Sequence, residues 1–143
     1  MKKPIPKKCT LLVVDDEAEM VSILKLSFEE EGFTVITASN GPAAIALAKS
    51  SRPDLMILDV KMPGMSGIDV CHAIRQDPNL TTTPVIMLTA KRLDEGLESA
   101  LQVKANWYLE KPFDFVDLLF HVKALLHQGP PSAEVRIKGE HLL

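Results

Sequence analysis

Several residue types and patterns are scarce in this chain, and each absence excludes a class of protein. It has only two cysteines, Cys9 and Cys71, which form no CxxC pair and have no histidine at zinc-ligand spacing. We therefore expect both to be reduced, small apolar core residues of a cytosolic protein. No apolar run approaches the ~20 residues of a membrane span. The basic start, Met1 to Pro4, is not followed by the apolar core of a signal peptide.

An excess of basic residues is also missing. Sixteen Lys and Arg face nineteen Asp and Glu, so the formal net charge is -3. This balance argues against direct nucleic-acid binding, because phosphate backbones recruit basic surfaces. The apolar fraction of 46% and the charged fraction of 24% are ordinary for a globular protein. We expect one cytoplasmic domain with no membrane partner.

What the chain does contain is an alternation of strand and helix patterns. Strands are predicted at 10–14, 34–37, 55–58, 85–88 and 106–109, and helices at 17–31, 42–49, 68–75, 91–102 and 115–126. Asp16 is a possible N-cap of the first helix. This alternation predicts a doubly wound α/β fold, a flavodoxin-like five-stranded parallel sheet of order 2-1-3-4-5 with five helices. We divide the chain into a lead-in (1–8), the domain (9–127) and a linker or tail (128–143), because 129–132 reads GPPS.

Charged side chains follow three of the predicted strands. Asp15 and Asp16 follow the first, Asp59 ends the third, and Lys111 follows the fifth. The predicted strand order brings the first and third strands together, at the edge where open α/β sheets bind ligands. Crowded carboxylates favour a hard divalent cation such as Mg²⁺. Asp59, central by topology, is the best candidate for an aspartate nucleophile that forms an acyl phosphate.

Thr89, at the end of the fourth strand, could offer a hydroxyl to a phosphoryl oxygen, and Lys111 could neutralise part of its charge. Each residue also has a simpler interpretation. Asp15, Asp16 and Thr89 could be helix caps, and Lys111 could pair with any carboxylate. Their joint occurrence at the ends of the correct strands favours the site.

At this point the chain resembles the receiver domain of two-component response regulators. The resemblance covers roughly 9–126 and rests on the motifs VVDDE (13–17), DLMILD (54–59), MPGMSG (62–67), LTA (88–90) and YLEKPF (108–113). It implies that Asp59 is the phosphoacceptor. It also implies that Mg²⁺, or Mn²⁺, is held by Asp16 and Asp59 directly, by Asp15 largely through water, and by the backbone carbonyl of Lys61.

The same resemblance implies that Lys111 contacts the phosphoryl group and that Pro112 follows a cis peptide bond. Thr89 and Tyr108 would form the switch pair, the threonine moving toward the phosphoryl oxygens while the aromatic ring turns inward.

The implied function is a signalling switch that catalyses only its own phosphoryl transfer and dephosphorylation. A sensor histidine kinase or a phosphotransfer protein would supply the phosphoryl group. The output would go to a downstream protein target or a fused output domain, with a possible homodimer through the fourth predicted helix (91–102), the fifth strand (106–109) and the fifth helix (115–126). An unphosphorylated receiver-like interaction module is the alternative.

Two positions depart from the family pattern. Lys104 stands where a glycine is usual in the family, so the turn before the fifth strand could differ from the family's turn. Trp107 replaces a residue that is commonly small or acidic. It could pack the edge of the sheet, or it could anchor a partner, since tryptophan is enriched at interface hot spots.

Two other enzyme and cofactor classes fit less well. A flavodoxin needs a phosphate loop rich in Ser, Thr and Gly after the first strand, where this chain has Asp-Asp-Glu. A haloacid-dehalogenase-type phosphatase needs a second acid two residues after its nucleophile, where this chain has Lys61.

Overall fold

The computed structural model describes residues 8–90 and 103–127 and the backbone of 136–137. Within these ranges the strands are β1 (Thr10–Val14), β2 (Thr34–Ala38), β3 (Leu55–Asp59), β4 (Val85–Thr89), β5 (Trp107–Glu110) and β6 (Arg136–Ile137). The helices are α1 (Ala18–Glu30), α2 (Gly41–Ser51), α3 (Gly67–Gln76) and α4 (Phe115–His127). The helix predicted at 91–102 lies outside the described residues.

All strands pair in parallel, in the order β2-β1-β3-β4-β5-β6. The predicted order 2-1-3-4-5 is therefore confirmed. The two-residue strand β6, within the segment expected to be a linker or tail, adds to the edge of β5 and was not predicted. The register pairs Val14 with Leu58 and Thr89 with Glu110. As a result, the carboxyl ends of β1, β3, β4 and β5 lie at one edge of the sheet.

Both faces of the sheet are covered, which explains why the strands are apolar throughout. On one face, Leu12, Met56 and Met87 pack with residues of α2 and α3, among them Ala44 and Val70. The opposite face packs against α1 and α4, through buried residues that include Leu11, Ile57, Leu24, Phe28 and Leu118. These two layers hold the strand ends in place beneath the site.

The first helix begins one residue later than predicted. Glu17, not Asp16, is its N-cap, and the Glu17 side chain makes no capping hydrogen bond. The prediction that Asp16 caps this helix was wrong. The Asp15 side chain instead accepts the Glu17 N–H at 2.9 Å, and Asp16 is exposed at the sheet edge.

The turn before β5 keeps a glycine-like backbone at Lys104, which has φ +59°. Arg75, at the end of α3, fixes this turn. Its guanidinium donates to the Lys104 carbonyl oxygen from Nη2 at 3.0 Å and from Nε at 3.2 Å, and to the Thr83 carbonyl oxygen at 2.8 Å. Burial lowers the pKa of Arg75. The departure at position 104 therefore changes the residue but leaves the turn in the left-handed conformation.

Trp107 stacks on His121 of α4, with ring centroids 4.0 Å apart and planes 26° apart. The indole is half-buried against the α1 and α4 face of the sheet. Its Nε1 is buried and has no hydrogen-bond partner among the residues that the structure describes. This packing is enough to explain a tryptophan at this position, whether or not a partner also contacts it.

Among the helices that the structure describes, none has the length and apolar character needed to span a membrane.

Replacing Lys104 with glycine should stabilise the fold by about 0.5–1 kcal/mol. The left-handed conformation costs a residue with a Cβ about 1–2 kcal/mol, and the extra freedom of glycine in the unfolded chain offsets part of that gain. Urea unfolding measures the difference. The matched control is Lys49→Gly in the exposed last turn of α2, which should lose about 1 kcal/mol. A Lys104→Gly variant no more stable than the wild type would contradict the strain argument.

Candidate functional site

Three carboxylates meet at the carboxyl ends of β1 and β3. Asp15, Asp16 and Asp59 each place an oxygen within 4.8 Å of the others. Asp15 and Asp59 are buried, at 1% and 4% exposure, whereas Asp16 is open to solvent. The adjacent parallel strands bring these side chains together, as the strand order predicted. Buried carboxylates this close repel one another unless a cation lies between them.

Lys111 supplies a cation to this cluster. Its Nζ lies 3.2 Å from Asp15 Oδ2 and 3.3 Å from Asp59 Oδ1. The Oε1 atom of Glu17, which is outside the cluster of three, lies 3.8 Å from the same Nζ. The Lys111 backbone N–H donates to the Thr89 carbonyl oxygen at 2.6 Å, which ties the lysine to the end of β4. The peptide bond between Lys111 and Pro112 is cis.

The electrostatics of Asp59 differ from those of an ordinary aspartate. Burial and the neighbouring charge of Asp15 raise the pKa of Asp59 to about 6, against the opposing effect of Lys111. Burial by itself would lower the pKa of Lys111, but the charges of Asp59 and Asp15 outweigh it and raise that pKa. The protein alone thus compensates the charge of Asp59 only in part.

The donor set fits a hard divalent cation. All three groups are carboxylates, which hard cations bind through oxygen, and no thiol or imidazole lies among them. A bound cation would also remove the repulsion that raises the pKa of Asp59. The acidic cluster is therefore a candidate divalent metal site.

A cavity of about 460 Å³ opens beside the cluster. Its lining includes Asp16, Asp59, Lys61 and Lys111 at the polar end. Apolar atoms of Met62, Pro63 and Ala90, together with Glu17, complete the wall. The carboxylate of Asp59 thus borders this space.

The two residues expected to form the switch are both buried. Thr89 ends β4, directly beyond Leu88, which is in register with Asp59. Tyr108 is fully buried in β5, on the face covered by α2 and α3. The aromatic ring is thus in an inward position in this structure.

The loop after Asp59 contains a close contact that sequence reasoning missed. A Cβ on Gly67 would lie 2.2 Å from the Asp59 carbonyl oxygen, so α3 begins directly against the backbone of Asp59. Gly67 also donates its N–H to the Val60 carbonyl oxygen at 2.9 Å. Ser66 and Asp69 form a capping box that fixes the start of α3. The spacing of Ser66 and Asp69 could have indicated the cap, but no sequence pattern indicates the approach of Gly67.

In the metal-free protein, Asp59→Asn should raise stability by about 1–2 kcal/mol above pH 6, because charged Asp59 is buried and repelled by Asp15. A carboxyl group with a raised folded pKa binds more protons in the folded state. The contribution of Asp59 to wild-type stability therefore falls as the pH rises from about 4 to 6, and the advantage of the variant should vanish below pH 4. Urea unfolding in EDTA across this range tests it, with exposed Glu19→Gln as control. An advantage independent of pH would contradict the prediction.

Gly67→Ala should destabilise the fold by about 1–3 kcal/mol and weaken divalent-cation binding, because the new methyl group displaces the backbone of Asp59. Thermal unfolding and a Mg²⁺ titration measure the two effects. Gly41→Ala is the matched control: its Cβ would meet Sδ, Cβ and Cγ of Met65 at 2.6–2.7 Å, so it also introduces a clash, but not with the backbone of Asp59, and Mg²⁺ affinity should stay near that of the wild type. Wild-type Mg²⁺ affinity in Gly67→Ala would show that the contact does not position Asp59.

Comparison with known proteins agrees with this geometry. The profile of the response regulator receiver domain family matches residues 11–123. The chain is 39% identical over 129 residues to the alkaline phosphatase synthesis transcriptional regulatory protein PhoP of Bacillus subtilis, covering 88% of this chain and 53% of PhoP. It is 36% identical over 135 residues to the phosphate regulon transcriptional regulatory protein PhoB of Pseudomonas aeruginosa, covering 94% and 59%. The chain thus spans little more than half the length of these relatives.

Solved structures show the same fold. The chemotaxis protein CheY4 of Vibrio cholerae superposes with a TM-score of 0.80 at 31% identity, covering 83% of this chain and 99% of that one. The receiver domain of the Francisella response regulator 1452 gives a TM-score of 0.77 at 30% identity, covering 85% and 98%. With a family profile that spans most of the chain and relatives of this similarity, the protein belongs to the response regulator receiver domain family.

Proposed function

We propose that this protein is a phosphorylation-activated two-component switch in which Asp59 is the phosphoacceptor. Asp59 takes its phosphoryl group from a phosphohistidine on a sensor kinase or phosphotransfer protein. The observation that carries the proposal is the position of Asp59. It is a buried carboxylate at the end of the central strand, 3.3 Å from the Lys111 ammonium and open to a cavity. A carboxylate so placed is accessible to a donor and has a cation at hand for the transferred charge.

In the reaction, a carboxylate oxygen of Asp59 attacks phosphorus in line with the leaving group. The phosphorus–nitrogen bond of the donor breaks, its electron pair returns to the imidazole, and an acyl phosphate forms on Asp59. Lys111 exchanges its pairing with Asp59 for a phosphoryl oxygen, and the Thr89 hydroxyl donates to another. Attack by water later releases inorganic phosphate and restores the carboxylate.

Asp16 and Asp59, the backbone carbonyl of Lys61 and, through water, Asp15 are the proposed ligands of Mg²⁺ or Mn²⁺. The bound ion supplies neutralisation of phosphoryl charge and relief of the repulsion among the carboxylates. The three acids suit this role because their oxygens already converge.

Phosphorylation would affect the binding of a partner by shifting a pre-existing equilibrium between two conformations of the region around Thr89 and Tyr108. A shift from 1:99 to 99:1 requires about 5.5 kcal/mol of differential interaction. The new phosphoryl contacts with Thr89 and Lys111 supply part of it, and binding of a partner to the favoured state supplies the rest. The inward ring of Tyr108 in this structure is the arrangement that phosphorylation would favour.

For the output, we propose a cytoplasmic regulator that acts on a downstream protein or a fused output domain and does not itself contact nucleic acid. Val116 and Phe120 on α4 are 75% and 65% exposed, whereas Leu118 on the same helix is fully buried. These two side chains support a docking or homodimer surface on α4 and β5, together with the helix predicted at 91–102. Both relatives described above are transcriptional regulators by name, which favours an output in gene regulation.

Incubation with acetyl phosphate and Mg²⁺ should add one phosphoryl group to the intact mass of the wild-type protein. Asp59→Asn should gain none, because it lacks the nucleophile, and EDTA should prevent the gain in the wild type. Asp16→Ala should need at least about tenfold more Mg²⁺, since a carboxylate ligand is lost. A mass gain that persists in Asp59→Asn would refute the phosphoacceptor, and no gain in the wild type would favour an unphosphorylated interaction module.

A further inference from the structure

Glu17 is a fourth acid at the site, and its side chain neither caps α1 nor belongs to the converging carboxylates. Its Oε1 lies 3.8 Å from Lys111 Nζ, and its side chain is 67% exposed at the wall of the cavity. Although Glu17 is the N-cap residue of α1, its carboxylate makes no capping hydrogen bond. Its backbone N–H donates to Asp15 Oδ1, which holds this residue next to the cluster.

Glu17 differs from the other carboxylates around Lys111 in one respect. Asp15 and Asp59 belong to the set of oxygens that converge on the candidate metal site, and Glu17 does not. A divalent cation bound by that set would offset most of the charge of its three carboxylates and weaken the hold of Asp15 and Asp59 on Lys111, whereas Glu17 would keep its full charge beside the lysine. Any phosphoryl group that approaches Asp59 must then compete with Glu17 for the lysine.

We propose that Glu17 is a specificity-determining residue for the phosphodonor, which disfavours small donors in proportion to their negative charge. The inference rests on the proposed role of Asp59 and adds a selection among donors. Glu17 opposes transfer by occupying Lys111 and by repelling an anion that enters the cavity. A protein donor offsets this repulsion with contacts elsewhere on its surface, whereas a small molecule has only its phosphoryl and leaving groups.

The chemical step is the same for both kinds of donor. With acetyl phosphate, an Asp59 oxygen bonds to phosphorus, the bond from phosphorus to the bridging oxygen breaks, and acetate leaves with the electron pair. No oxidant or further reactant is needed, and Glu17 takes no part in bond making. Its effect is on the energy of bringing the charged donor beside Lys111.

Two small donors of different charge separate this effect from a general change in the site. Acetyl phosphate is a dianion at neutral pH, whereas phosphoramidate carries one net negative charge. At low ionic strength, Glu17→Gln should speed phosphorylation by acetyl phosphate by roughly three- to tenfold, and the gain with phosphoramidate should be at least about twofold smaller. The gain should shrink at high salt, because the carboxylate is exposed and screened.

Two matched variants complete the experiment. Glu19→Gln removes an equal charge two residues further along, in the exposed first turn of α1, and should change both rates by less than about twofold. Glu17→Asp keeps the charge and should stay near the wild type with both donors. The Mg²⁺ dissociation constant of Glu17→Gln should change by less than about threefold, because Glu17 is not among the converging ligands.

Equal gains with the two donors, gains no larger than those of Glu19→Gln, or gains unaffected by salt would each overturn the proposal. A loss of Mg²⁺ affinity of more than about tenfold in Glu17→Gln would also overturn it, by making Glu17 a metal ligand. Failure of the proposed function looks different: the wild type would then gain no phosphoryl group from either donor. Loss of phosphorylation in Asp59→Asn together with unchanged rates in Glu17→Gln would leave the phosphoacceptor intact and reject only the donor selection.

Discussion

The ammonium of Lys111 among the carboxylates of Asp15 and Asp59 is the interaction on which the rest of this structure depends. Two buried acids at the end of neighbouring strands would repel each other strongly without it. The lysine compensates them in part, and the raised pKa of Asp59 shows that the compensation is incomplete. The ammonium of Lys111 can therefore change its pairing from one anion to another, and a bound metal ion would stabilise the charged form of Asp59.

The scaffold tolerates this conflict because the sheet beneath it is held on both faces. Residues of β1 and β3 alternate between two apolar layers, one under α2 and α3 and the other under α1 and α4. A residue at a strand end cannot move away from its neighbour without disturbing both layers. The close approach of Gly67 to the Asp59 backbone removes a further freedom. The carboxylates of Asp15 and Asp59 are thus held close together despite their repulsion, and a ligand, not a local rearrangement, relieves it.

The opposite end of the sheet shows how the fold overrides local preference. Lys104 adopts a left-handed conformation that glycine would adopt at lower cost, and Arg75 holds it there through carbonyl contacts. Beyond this turn, Trp107 stacks on His121 and joins β5 to α4. Tyr108 is the next residue along the strand and lies on the other face. Strand β5 thus connects the interior near the site with the helix whose exposed Val116 and Phe120 support a partner surface.

The sequence by itself determined the alternation of strands and helices, the order of the five main strands and the acids at their ends. These follow from periodicity, from apolar strands and from the rule that parallel strands end at one edge. It predicted the wrong cap for α1 and left out β6, because one residue of shift at a helix start and a two-residue strand leave almost no pattern. Only the tertiary structure decided that Lys111 meets Asp15, 96 positions away in sequence, that Glu17 faces the same lysine, and that Gly67 touches the Asp59 backbone. Spacing along a chain carries information about neighbours on one element, whereas the distance between two elements is decided by how their buried faces pack.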